Sequence, residues 1–313
     1  MTSSGISNWP APARLTVGVV SAGRVGCAVG AALEAAGHVV GGVVARSQRS
    51  RARAARLLPD SEVLDLAAVV TRSELLVVAV PDDSLSDVVR DIAATGALRP
   101  GTLVAHTAGA QGIGILAPLA DLGATTLALH PAMTFVDSDD DVRRLRAACF
   151  GVTAADEVGY AVASALVLEM GGEPVRVREE ARTLYHASLA HGANHLVALI
   201  ADALDGLRIA LEGQELPGQD VVDDRAGGLP ARVLGPLVTA ALQNTLELGP
   251  SALTGPVARG DGAAIARHLA ALDEADPDLA GAYRAMATRA AHHADAPAAV
   301  WDVLATDRPR GSR

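Results

Sequence analysis

The sequence predicts an α/β fold, a mostly parallel sheet flanked by helices, followed by an all-α segment. Three observations carry that reading. Short valine- and leucine-rich runs alternate with helix-length stretches from Leu15 to Arg178. A tight glycine turn joins the first of those runs to a helix. From Glu179 onward the strand pattern stops and only helical periodicity remains.

The opening stretch is Leu15-Thr16-Val17-Gly18-Val19-Val20-Ser21-Ala22-Gly23-Arg24-Val25-Gly26. It reads as an apolar strand, a turn and the first turn of a helix, the layout of a Rossmann-type dinucleotide-binding unit. Free amides and the dipole at such a helix start favour a pyrophosphate. Ser21, Ala22, Gly23, Arg24 and Val25 form the expected cradle. Gly23 lets the backbone approach the phosphates, and Gly26 lets the helix pack closely on the strand. Ser21 stands where G-x-G-x-x-G has its first glycine. The alternative is a glycine-bearing turn that holds no ligand.

The first helix runs from about Arg24 to Ala36, with Gly37 as its C-cap, and His38 to Ala45 is a valine-rich strand. Arg46 follows Gly26 by 20 residues. An NAD site places an acid hereabouts for the ribose 2′-hydroxyl. Here stand Arg46 and Ser47 and no acid, so NADP(H) is favoured over NAD(H). Arg49, Arg53 and Arg56 share one helical face and read as solvated. Leu64 to Val70 is a strand running into a helix, and Leu75 to Val80 is a buried strand, after which Asp83 or Ser84 caps a helix. Thr102 to His106 and Thr125 to Leu129 are further strands. Ligands of open α/β sheets bind at the carboxyl ends of strands, which gathers Val80-Pro81, His106-Thr107 and His130-Pro131 around one crevice. Asp137 to Asp141 reads as a solvated acidic turn. Ala148 to Thr153 and Pro174 to Val177 are strands joined by a helix from about Ala155 to Gly171.

The expected organisation is a loose tail over 1–14, a dinucleotide-binding domain over 15–178, a helical domain over 179–306 and a frayed end over 307–313. The helical part comprises Glu179 to Leu211, a polar loop from Glu212 to Gly228, and Pro230 to Leu248 with an adjustment at Pro236. A Gly/Pro-rich stretch precedes helices over Gly262 to Leu272 and Pro277 to His293.

Composition narrows the function. The chain has 313 residues, enough for two domains, and a net charge of −10 with 2% aromatics. That charge argues against a nucleic-acid binder, and so few aromatics leave no base-stacking platform. No apolar run is long enough to span a bilayer, and the first residues lack the apolar core of a signal peptide. Cys27 and Cys149 show neither disulfide nor metal spacing and are expected to be buried, in keeping with a reducing cytoplasm. No metal site is expected. All 26 basic residues are arginine, so lysine catalysis is excluded, and arginine is a poor proton donor.

Four stretches carry a resemblance. Beside the glycine turn they are His106-Thr107-Ala108-Gly109-Ala110, Leu129-His130-Pro131-Ala132-Met133-Thr134-Phe135, and Leu253-Thr254-Gly255-Pro256-Val257-Ala258-Arg259-Gly260-Asp261. With these the chain resembles a two-domain Rossmann-like family whose helical half is catalogued as domain of unknown function 2520. More distantly it is similar to pyrroline-5-carboxylate reductases, deazaflavin-dependent NADP reductases and 6-phosphogluconate dehydrogenase-like enzymes. The resemblance implies a nicotinamide site on the sheet, a substrate pocket at the domain junction and a homodimer through the helical domain. It also admits deazaflavin as a second redox partner. The lysine that β-hydroxyacid dehydrogenases and ketopantoate reductases use is missing, whereas imine reduction needs none.

His130, at a strand end, is the candidate proton donor near neutral pH, or else it orients a loop. His106 is a similar candidate beside the cofactor. Asn194 is a candidate for substrate or nicotinamide binding, and shares a helix face with His191. Arg259 could clamp a carboxylate, or pair with Asp261, which fits a helix N-cap. The expected activity is hydride transfer between NADP(H) and a small carboxylated carbonyl or imine. The alternative is an NADP(H)-binding sensor without turnover.

Overall fold

The computed structural model describes residues 14–214 and 228–305. The expectations for the first 13 residues, for most of the polar loop after Glu212 and for the C-terminal end from Thr306 lie outside the described residues. The chain divides into two compact units, one ending at Ala190 and the other beginning at His191.

The first unit runs β1 (Thr16–Val20), α1 (Arg24–Ala35), β2 (Val39–Val44), α2 (Gln48–Leu57), α3 (Leu66–Arg72), β3 (Leu75–Val78) and α4 (Asp82–Ala94). It continues with β4 (Leu103–His106), α5 (Ala117–Ala120), β5 (Thr125–Pro131), α6 (Asp140–Leu145), β6 (Cys149–Ala154), α7 (Glu157–Glu169) and β7 (Glu173–Arg176). The seven strands form one sheet in the order β2-β1-β3-β4-β5-β6-β7. Every neighbour pair is parallel except β5 with β6. The chain order reverses at β1, between β2 and β3, and this is the switch point where such sheets open a ligand crevice.

Buried valines and leucines alternate onto both faces of the strands, as a sheet covered twice requires. One core holds Val17, Val19, Leu33, Leu127, Phe150 and Val167. The other holds Val20, Leu76, Val78, Leu85, Ile92 and Leu116. Gly18 permits the approach of α3, since a Cβ there would lie 2.1 Å from Ser73 Oγ.

Several local expectations change. Gly37 takes φ +95 one residue beyond the cap of α1, which is where a helix end wants glycine. Neither Asp83 nor Ser84 caps α4, which starts directly after Pro81 with no side-chain cap. The acidic stretch is no solvated turn, because Asp141 is buried in α6. Cys27 is buried but Cys149, at the start of β6, is exposed.

A short 3-10 turn, Glu179–Ala181, leads into α8 (Arg182–Ala210). The second unit adds α9 (Leu229–Leu248), which passes through Pro236, then α10 (Gly255–Arg259), α11 (Gly262–Ala275), α12 (Pro277–His293) and α13 (Ala298–Ala305), the last unforeseen. Its core gathers Val257, Ile265, Leu269, Ala287, Ala291 and Val300. Asp261 caps α11 as expected, accepting from Ala264 N at 2.9 Å. Among the described residues no helix is long and apolar enough to cross a membrane.

Candidate functional site

The turn after β1 is built tightly. Ser21 adopts φ +81, the left-handed region, at a cost on the order of 1–2 kcal/mol for a residue with a Cβ. The Ala22 N–H donates to the Val44 carbonyl at 2.9 Å, and its own carbonyl accepts from Arg53 Nη1 at 3.1 Å. Cys27 N–H is the first in α1 to bond back, to Gly23 O. The amides ahead of it are the unpaired donors of a helix start. A Cβ on Gly26 would lie 2.3 Å from the Ser21 carbonyl oxygen, so only glycine fits there. A Cβ on Gly23 would meet nothing nearer than 3.6 Å. A Cβ there would sit in ordinary contact with Ser21 Oγ and, at 3.8 Å, the Ala79 carbonyl oxygen, so packing within the chain does not demand glycine at this position. Arg24 reaches sideways, donating from Nη1 to the Phe135 carbonyl at 2.8 Å.

Arg46 and Ser47 follow β2 as the sequence placed them, and they part in role. Arg46 is exposed. The Ser47 hydroxyl accepts from Ser50 N at 3.0 Å in a reciprocal capping box that starts α2. Its side chain is thus spent on the helix. The arginine face of α2 is solvated only in part: Arg49 and Arg56 are exposed, but Arg53 is buried. Arg53 is 7% exposed and grips Asp137 bidentately, at 2.7 and 2.6 Å. Arg56 joins at 2.9 Å and Arg49 at 3.9 Å. These cations hold the Asp137 carboxyl well below its ordinary range, at about 2, with the Arg53 hydrogen bond the largest cause.

The carboxyl ends of β3, β4 and β5 lie on the same edge of the sheet. Val80 is half-buried and Pro81 exposed. His106 is fully buried; its Nε2 donates to the Gly112 carbonyl at 2.9 Å and its Nδ1 accepts from Ala108 N at 3.2 Å. Both nitrogens serve the loop after β4, and burial pushes the imidazole down to about 4. Glu179 fastens the far end of that loop, accepting from Ile113 N at 2.8 Å and Gly114 N at 2.9 Å. His106 therefore shapes this edge through the loop and has no free nitrogen for a ligand.

His130 has a partner that the sequence did not reveal. Its Nδ1 lies 3.1 Å from the Tyr185 hydroxyl, on the first turn of α8. The rings of Tyr185 and His186 each meet it edge-on at 5.6 Å. Gly109 passes close by, and a Cβ there would come 2.9 Å from His130 Nε2 and 2.3 Å from His186 Cδ2. Burial, then His186 and Arg182, lower His130 to about 4. The imidazole is therefore neutral at pH 7, which removes the imidazolium as proton donor. Burial raises the Tyr185 phenol, which stays protonated.

Arg182 places Tyr185. It is 1% exposed, donating from Nε to Thr153 Oγ1 at 2.8 Å and from Nη2 to the carbonyls of Ala128 and Gly151 at 2.9 and 3.1 Å. That pins the first turn of α8 onto β5 and β6. Gly151 leaves room for the phenol, since a Cβ there would lie 2.7 Å from its oxygen. A tyrosine beside two histidine-bearing stretches was the signal available, in a chain with three tyrosines.

In the second unit Asn194 and Arg259 are exposed, and neither forms a hydrogen bond or ion pair among the described residues. The alternative pairing of Arg259 with Asp261 is thus not made. His191 and His195 face each other at 2.7 Å between Nδ1 atoms.

The sheet order, switch point and glycine turn define a nucleotide-type α/β protein with a helical second part. Residues 1–131 match the model of a Rossmann-like domain, and residues 148–290 match Domain of unknown function (DUF2520). The chain belongs to the family that joins these two domains. No curated protein sequence matches it. Among solved structures it is similar to a Bacteroides fragilis protein proposed to be an NADP oxidoreductase, with TM-score 0.71 and 21% identity over 89% of this chain and 98% of that one. It is also similar to the imine reductase of Myxococcus stipitatus in complex with NADP+, with TM-score 0.62 and 17% identity over 93% and 100%. A third is the reductive aminase of Aspergillus terreus in complex with NADPH, with TM-score 0.61 and 17% identity over 90% and 94%. Likeness at this identity establishes the fold.

Proposed function

We propose that the chain is an NADP(H)-dependent oxidoreductase acting on a small carbonyl or imine, with a carboxylated substrate preferred. The observation that carries this reading is the turn after β1. Its left-handed Ser21, a Gly23 that packing within the chain does not demand and its unpaired α1 amides stand at the switch point of the sheet. Supporting it, similar folds have been solved with NADPH and NADP+, and one with NAD+.

The α1 amides would hold the pyrophosphate, and exposed Arg46 the 2′-phosphate. The nicotinamide supplies the hydride chemistry. The chain supplies a proton holder: the Tyr185 hydroxyl, hydrogen-bonded to neutral His130. With its proton on Nε2, His130 accepts at Nδ1 from the phenol, which fixes the direction of the hydroxyl. Asn194 and Arg259 stay proposed substrate-side residues, Arg259 as carboxylate anchor.

We further propose a homodimer through the helical part. Arg182 is the only buried residue of α8, and Pro230 the only one of α9. Val197, Leu199, Ile209, Leu237, Leu242 and Leu246 all stand exposed along these two helices, which leaves apolar side chains for a second copy to cover. Light scattering that finds a monomer at micromolar concentration removes this part. Two free cysteines suit a reducing cytoplasm.

Calorimetric titration with NADPH and NADH, repeated on Arg46→Ala, tests the cofactor reading. The expected result is NADPH preference in the native chain, reduced about tenfold in the variant. NADPH consumption with cyclic imines and keto acids then tests turnover, and Tyr185→Phe is expected to lower kcat at least tenfold with KM little moved. Binding of NADPH with no consumption across that panel replaces the enzyme by a sensor.

A further inference from the structure

Ser21 poses a problem that the turn must solve. A dinucleotide turn whose first position has φ +81 is free for glycine and strained for serine. Such strain persists only where the surroundings over-determine it. Both peptides that flank Ala22 are pinned, the Ser21–Ala22 peptide by Val44 O at the Ala22 N–H and the Ala22–Gly23 peptide by Arg53 Nη1 at the Ala22 carbonyl. Arg53 is itself immobilised. Its Nε and Nη2 are taken by the two oxygens of Asp137, leaving Nη1 aimed at Ala22.

Asp137 is fixed in turn. Its backbone is left-handed at φ +69, and its N–H donates to Asp141 Oδ2 at 2.9 Å. Ser138 Oγ donates to the other oxygen of Asp141, which is 2% exposed. The segment from Pro131 to Asp141 is thereby tied to α2 through Asp137, and Arg24 ties it to the start of α1 at Phe135.

We propose that Arg53, locked by Asp137, is a positioning residue that holds the Ala22–Gly23 peptide so that serine can occupy the glycine position of the dinucleotide turn. The role of the turn rests on the cofactor reading above; the clamp on Ala22 does not. Glycine at position 21 needs no clamp, so the two sites are coupled.

The test is a double-mutant cycle on the full chain, with NADPH affinity by calorimetry and backbone amide hydrogen exchange at Ala22 without nucleotide. Arg53→Met is expected to weaken NADPH binding at least tenfold relative to the native chain. In the Ser21→Gly background the same substitution is expected to weaken it less than threefold relative to Ser21→Gly alone. Ala22 exchange should quicken at least tenfold in Arg53→Met, and by less than threefold when Ser21→Gly is the parent. Equal losses in both backgrounds, which any merely structural arginine would give, overturn the proposal, as does unchanged exchange. Should Arg53→Met fail to fold, Asp137→Asn enters the same cycle with the same rescue required. If the native chain binds neither nucleotide, the cofactor reading falls, and the exchange ratios alone decide the clamp.

Discussion

Two arginines are buried among the described residues, and the fold treats them in opposite ways. Arg53 has a carboxylate, a bidentate grip on Asp137 with one nitrogen left for Ala22 O. Its charged form is stabilised further, chiefly by that hydrogen bond. Arg182 has no carboxylate. Its partners are two carbonyls and a threonine hydroxyl, its Nη1 has none, and burial pushes its guanidinium down. A paired charge is spent locally and acts as a clamp. An unpaired one acts on its neighbours, and Arg182 lowers both His130 and Tyr185. Under the proposed function the first region would hold a ligand's phosphates and the second would tune a proton.

The largest expected difference comes from the glycines beside them. A Cβ on Gly26 would strike a backbone oxygen, while a Cβ on Gly109 would strike imidazole edges. Backbone cannot step aside, so Gly26→Ala is expected to cost about 3 kcal/mol or more, with loss of nucleotide binding. Gly109→Ala should cost about 1 kcal/mol, because His186 can rotate. Urea denaturation checks both, and similar costs would mean that the turn is softer than its contacts imply.

Acid separates the regions next. His106 titrates at about 4 in the fold against 6.5 for the ordinary side chain. Between those values the unfolded chain binds a proton that the folded one refuses, so stability falls as pH drops from 6.5 to 4. That amounts to about 3 kcal/mol at most for His106, and His130 adds in the same direction. Asp137 runs the other window. Its carboxyl is held at about 2 against an ordinary 3.8, so its contribution is lost only as pH falls through that lower range. Asp137→Asn should therefore leave the upper phase of a stability–pH curve intact and shrink the lower one.

Removing each charge sharpens the contrast. Arg182→Met is expected to cost about 2 kcal/mol through the hydrogen bonds it strips from the sheet. It should also move the His130 titration upward by NMR, since a cation is gone. Arg53→Met should cost about 1 kcal/mol, because Asp137 keeps Arg56, and His130 should not move. A shift of His130 in both variants would deny the separation.

What the sequence revealed follows the same divide. The Gly26 packing role and the strand–turn–helix were readable because their partners are local. So was the Asp261 cap, three residues from the Ala264 amide that donates to it. On the arginine face of α2, Arg53 departs from the solvated reading because its partner Asp137 is 84 residues away. Tyr185 escaped because its meeting with His130 spans 55 residues and depends on where Arg182 seats α8. Periodicity reports which face of a helix is apolar, and carries nothing about a charge that finds its partner through the fold.

The smallest effect tests two neighbours that the sequence offered as one phosphate site. The Ser47 hydroxyl is taken by the capping box at α2, while the Arg46 side chain is exposed. Ser47→Ala should then cost about 1 kcal/mol of stability, as a lost N-cap does, with the ratio of NADPH to NADH affinity preserved. Arg46→Ala should do the reverse, sparing stability and eroding that ratio. If Ser47→Ala erodes the ratio as well, the cap opens when nucleotide binds and the hydroxyl serves the phosphate. The start of α2 would then be a second place, beside the Arg53 clamp, where a polar group held by the chain itself is shared with the ligand.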